Sequence, residues 1–116
     1  MKRLILGMII WGSSSILAQN SITCFKKAYS SSGLNLSTQN SIDLCSGAEN
    51  LNAINCFKKA YSSSGLNLST QNTIELCAGA VNLNAITCFK KAHSSSGLNL
   101  GTQNAIKLCK SNRVQR

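Results

Sequence analysis

Six cysteines carry the clearest chemistry in this chain, and their spacing repeats. Cys24 and Cys45, Cys56 and Cys77, and Cys88 and Cys109 are each 21 positions apart, with 11 positions from one pair to the next. An even cysteine count in a short exported chain reads as a disulfide framework. Two pairings respect the repeat. Pairing within units joins Cys24 to Cys45, Cys56 to Cys77 and Cys88 to Cys109, and uses every thiol. Pairing across units joins Cys45 to Cys56 and Cys77 to Cys88, and strands Cys24 and Cys109. After Cys109 the third unit degenerates into Lys110–Arg116. Cys109 is nonetheless present, which favours a partner inside its own unit. Each such bridge closes a loop of about 22 residues and stabilises by about 3 kcal/mol on a chain-entropy argument. A metal fits this spacing less well, because zinc sites bring closely paired cysteines or a nearby histidine. Here each expected helix carries one cysteine, and the single histidine, His93, occurs in one unit only. No C-x-x-C is present, and the sequence implies no cofactor.

Three further sets of residues recur with the cysteines. Lys26-Lys27, Lys58-Lys59 and Lys90-Lys91 follow the repeated phenylalanine. They lie opposite the apolar stripe of the expected helix and are therefore expected to face water. Stacked units would align the three pairs into a basic ladder for an anionic polysaccharide, a cell surface or an acidic protein; the plainer reading is a solvated helix face. Tyr29, Tyr61 and His93 share one position, suited to stacking on a ligand ring or, more simply, to packing. Ser-Ser-Ser-Gly-Leu-Asn-Leu is identical in all three copies, either as a hydrogen-bonding loop or as helix termination followed by a new cap. Asn35 and Asn67 sit in the glycosylation acceptor pattern, whereas Asn99, followed by Leu100 and Gly101, does not.

Catalysis finds little support. Asp43, Glu75 and Lys107 are one position in the three copies, so that position tolerates either charge and is no paired-carboxylate centre. One histidine and no glycine-rich phosphate loop leave no catalytic constellation. The expectation is a non-enzymatic protein.

These residues are positioned by a 32-residue unit repeated at 21–52, 53–84 and 85–116, whose first two copies agree at 26 of 32 positions. A fixed period in this range marks a repeat architecture in which neighbouring units bury each other's apolar faces. In the middle unit Asn52 is placed to cap a first helix, with Leu51 stapled onto Cys56. Ile54, Phe57 and Tyr61 recur at helical spacing, and Ala53, Cys56 and Ala60 widen the stripe. Ser62-Ser63-Ser64-Gly65 ends the helix, with Gly65 suited to a left-handed position. Leu66-Asn67-Leu68 forms the turn, and Ser69 caps a second helix. Thr73, Leu76, Cys77 and Ala80 form the inner face of that helix, with Ile74 beside them. Both helices are expected to run about 11–13 residues, a marginal length in isolation. Cys56 and Cys77 lie almost symmetrically about Asn67, which brings their sulfurs to one level of an antiparallel hairpin. The fold class expected is all-α: three tandem α-hairpins, six short helices, stacked as a short solenoid or closed into a compact bundle, with one disulfide per unit.

Residues 1–18 read as an export signal. Lys2 and Arg3 precede a short apolar core, Leu4–Gly12, and Ala18 offers a cleavage site. The apolar run is shorter than the ~20 residues of a bilayer span. An uncleaved anchor and a buried N-terminal helix are the alternatives. Cleavage leaves a repeat domain of 19–116 and lowers the formal charge from +9 to +7. The surroundings of the lysines are mostly neutral Ser, Asn and Gln, unlike the dense cationic composition of a dedicated nucleic-acid binder. The sequence thus points to a secreted or periplasmic protein that presents one basic surface several times. Two alternatives are a cationic membrane-active or inhibitory protein and a purely structural one.

Overall fold

The structure, a computed structural model, describes residues 19–111. The expected export signal and the tail 112–116 lie outside the described residues. Six helices follow one another: α1 (residues 19–29), α2 (Thr38–Cys45), α3 (Asn52–Tyr61), α4 (Thr70–Cys77), α5 (Asn84–His93) and α6 (Thr102–Cys109). There is no strand among the described residues. Each unit is one hairpin, and the three bridges are those within units: Cys24–Cys45, Cys56–Cys77 and Cys88–Cys109. Their Cα atoms stand 5.6, 5.6 and 5.5 Å apart, inside the range an unforced disulfide needs. No cysteine is free.

The hairpins stack in two rows. α3 packs on α5 in one row, while α2 packs on α4 and α4 on α6 in the other. The core lies between the rows and is built from the expected stripe: Ala53, Ile54, Cys56, Phe57 and Ala60 from α3, against Ile74, Leu76 and Cys77 from α4. Tyr61 is the exception. It sits at the edge of the stripe, 49 % exposed.

The helices are shorter than expected, ten residues in α3 and α5 and eight in α2, α4 and α6. The first helices end early because the loop folds back onto the helix it leaves. Leu66 and Leu68 donate their backbone N–H groups to the carbonyls of Lys59 and Ala60, at 3.1 and 2.9 Å. These groups would otherwise be orphans of the last turn. The same pair of bonds closes the first unit through Leu34 and Leu36 and the third through Leu98 and Leu100. The left-handed residue of this turn is Asn67 (φ 57°), with Asn35 and Asn99 alike, and not Gly65 as the sequence led us to expect. Asparagine tolerates that region better than most side chains do. Gly65 is needed for space: a Cβ there would fall on the Lys59 carbonyl oxygen. The second helices end where Gly47 and Gly79 do turn left-handed, at φ 71° and 78°.

The caps also differ from expectation at one end. Ser37 and Ser69 accept the N–H groups of Asn40 and Asn72, at 3.1 and 3.2 Å, as serine N-caps do. At the start of α3, however, Asn52 is not the cap. Its own N–H is taken by Asn50 Oδ1 at 2.8 Å, and its side chain donates to the Val81 carbonyl at 2.7 Å, tying the start of α3 to the connection that follows α4.

Ser41 and Thr73 are fully buried, and neither hydroxyl has a hydrogen-bond partner. The third unit places Ala105, equally buried, at this position. A buried hydroxyl without a partner is destabilising by about 1–3 kcal/mol, and alanine is also the better helix former. Ser41→Ala is therefore expected to raise Tm by a few degrees in a calorimetric melt. A lower Tm would mean that the hydroxyl is bonded.

Candidate binding face

The apolar stripe of each first helix fixes what the opposite side shows. With Ala53, Ile54, Cys56, Phe57 and Ala60 turned inward, Asn55, Lys58 and Lys59 share the outer face at i, i+3 and i+4. All six repeat lysines, Lys26, Lys27, Lys58, Lys59, Lys90 and Lys91, are exposed. α3 and α5 lie in contact, and packed helices run about 8–10 Å apart, so the lysine pairs recur on that scale. Lys58 and Lys59, like Lys90 and Lys91, stand in the last turn of their helix, where a cation also favours the helix dipole.

The first helices carry charge of one sign. They hold these six lysines and no acid among their described residues. Asp43 and Glu75 lie on α2 and α4 in the opposite row, and Glu49 lies in the connection that follows α2. The second row is mixed in charge, since α6 carries Lys107 at the position of Asp43 and Glu75.

Tyr29, Tyr61 and His93 are each anchored on the phenylalanine one turn before. Ring centroids are 5.4 Å apart for Phe25–Tyr29, 5.3 Å for Phe57–Tyr61 and 5.1 Å for Phe89–His93. Phe57 and Phe89 are buried, so each holds its partner ring at the rim of the core. His93 donates from Nδ1 to the Leu100 carbonyl at 3.0 Å. That bond ties the helix end to the following loop and gives the histidine a structural task. Tyr61 also borders a shallow open cleft with the serine loop, including Ser62, Ser63, Asn67 and Ser69. The lysines do not line this cleft, so the two recurrent surface features are neighbours and not one pocket.

With every described cysteine bridged, no thiolate is free to hold a metal, and no cluster of three or more metal-ligating side chains occurs among the described residues. The sequence reading missed one set of residues. It treated the three copies as equivalent, but their exposure differs. Ile22 and Ile42 on the first unit, and Leu98 and Leu108 on the third, are exposed, whereas Ile54, Ile74 and Leu76 of the middle unit are buried. Asking which copy is first and which is last would have found them. No protein-family model matches this chain, and neither the curated proteins nor the solved structures contain a match to it.

Proposed function

We propose that this is an exported, non-enzymatic binding protein, whose row of lysines holds an anionic polymer of a cell envelope. We read the stack as a short solenoid, with the first helices as its binding row. The observation that carries the reading is the row of six exposed lysines on consecutive first helices, which hold no acid among their described residues. Three disulfides in a chain of this size fit an oxidising, extracellular compartment, and no helix among the described residues is long and apolar enough to cross a membrane. Each lysine pair makes a weak, screened contact. Three such contacts on a rigid array reinforce one another through effective concentration when the target repeats as well.

The test is binding of the oxidised protein to purified anionic envelope polysaccharide across a salt series, beside a variant with all six lysines changed to Gln. Binding by the unaltered protein should weaken as salt rises, and the variant should bind at least about tenfold more weakly, a loss of about 1.4 kcal/mol. Equal binding by both would rule the lysine row out as the working surface. Leakage from anionic vesicles would instead favour a membrane-active protein, although the burial of Ile54, Phe57 and Ile74 leaves little apolar surface of the middle unit for lipid.

A further inference from the structure

The two ends of the stack are halves of an interface that the molecule already makes twice. On the side facing a preceding unit, Ile54, Phe57 and Ile74 are 3–5 % exposed, and Ile86, Phe89 and Ile106 are equally covered. The corresponding Ile22 and Ile42 of the first unit are 53 % and 45 % exposed, lining an apolar hollow with Phe25. On the side facing a following unit, Leu44 and Leu76 are fully buried, whereas Leu108 of the third unit is 50 % exposed. Leu108 lines a second apolar hollow with Cys88 and Leu98.

A polar ladder sets the register of the internal joints. Gln71 Nε2 donates to Asn40 Oδ1 at 3.1 Å, and Gln103 Nε2 to Asn72 Oδ1 at 2.8 Å, each bond crossing from one unit to the one before. The same two positions at the ends are Gln39 and Asn104. Gln39 donates to Asp43 of its own helix at 3.0 Å.

We propose that these ends bind each other between molecules: the third unit of one copy receives the first unit of the next, and Asn104 accepts from Gln39. The occupant is a second copy of this chain because each end carries the residues found on the corresponding side of the internal joints. Ile22, Phe25, Ile42 and Gln39 match Ile54, Phe57, Ile74 and Gln71, and Leu98, Leu108 and Asn104 match Leu66, Leu76 and Asn72. Charge agrees with a head-to-tail order. Asp43 and Glu49 balance Lys26 and Lys27 in the first unit, whereas the third unit has Lys107 and Lys110 and no acid. Tail-to-tail pairing would bring cations together. A head-to-tail joint is heterologous, so copies add one after another, into an open filament where the rotation does not close a ring, and the product would carry the row of exposed lysines on from copy to copy. Lys91 of that row also borders the third-unit hollow, and the joint does not require the lysines to bind a polymer.

The test is sedimentation velocity of the secreted, oxidised protein over a wide concentration range, with Ile42→Lys and Leu108→Lys beside it. The unaltered protein should grow past the mass of a dimer as concentration rises. Each variant alone should stay monomeric, since each has one blocked end. Their equimolar mixture should form dimers and grow no further, because one sound joint remains. Both altered side chains are about half exposed, so each variant should keep the circular dichroism and melting of the unaltered protein. Asn104→Ala, at an exposed position, should weaken association by about 2- to 10-fold. Association that stops at a dimer, a mixture no heavier than its parts, or an unaltered protein that stays monomeric throughout would overturn the proposal.

Discussion

Reduction of the three disulfides should unfold the protein. Each bridge closes a loop of the same length, since each spans 21 positions, and chain entropy gives about 3 kcal/mol for such a loop. Three bridges together contribute about 9 kcal/mol, comparable with the whole stability of an ordinary domain, about 5–15 kcal/mol. The helices cannot compensate. At eight to ten residues, α2 to α6 are below the length that persists in water. The core that remains contains many alanines, Ala53, Ala60, Ala80, Ala85 and Ala92 among them, which bury little area each. With excess reductant, far-ultraviolet circular dichroism should therefore lose most of its helical signal at room temperature. A cooperative melt that survives complete reduction would show that packing alone holds the stack. Removing one bridge, as in Cys56→Ala with Cys77→Ala, should lower stability by about 3 kcal/mol. Because the loops are equal, the corresponding double variants of the outer units should lose similar amounts.

The bridges and hairpins were legible in the sequence because they depend on spacing alone. Cys56 and Cys77 are nearly equidistant from Asn67, and the structure brings their Cα atoms to 5.6 Å. The stripe from Ala53 to Ala60 could be read from helical periodicity, and burial follows it closely. The misreadings share a physical cause: they concern backbone groups that meet only after the chain has turned. Asn50 takes the Asn52 N–H across a two-residue step, where the helix-start pattern had favoured Asn52 itself. The two leucines of the loop look like packing residues, yet it is their N–H groups that end the helix at Tyr61. For the candidate face, the lysines were legible as exposed from their place opposite the apolar stripe, whereas the cleft that Tyr61 forms with the serine loop depends on how the loop folds back. The exposed ends were hidden by the similarity of the copies, since position in the stack, and not residue type, decides whether Leu76 or Leu108 sees water.

Gly65→Ala should be among the most damaging single substitutions, and Asn67→Gly among the mildest, although sequence habit assigns the glycine to the left-handed position. At Gly65 the methyl group would fall on the Lys59 carbonyl oxygen. That oxygen cannot retreat freely, because it accepts the Leu66 N–H at 3.1 Å. Relief requires the loop to lift from the helix end, and both Leu66 and Leu68 then lose their backbone partners. Overpacking of this kind is destabilising by about 3 kcal/mol. In a domain of this size that lowers Tm by more than about 10 °C. Asn67 presents the opposite case. Its φ of 57° is one that glycine adopts without strain, its side chain is exposed, and the cost of a freer unfolded chain is within about 1 kcal/mol. Thermal melts of the two variants decide the matter. If Gly65→Ala melted with the unaltered protein while Asn67→Gly lost stability, the fold-back of the loop onto the helix would be wrong. The predicted order instead ties the identical Ser-Ser-Ser-Gly-Leu-Asn-Leu segments to helix termination, with Gly33 and Gly97 subject to the same contact from Lys27 and Lys91.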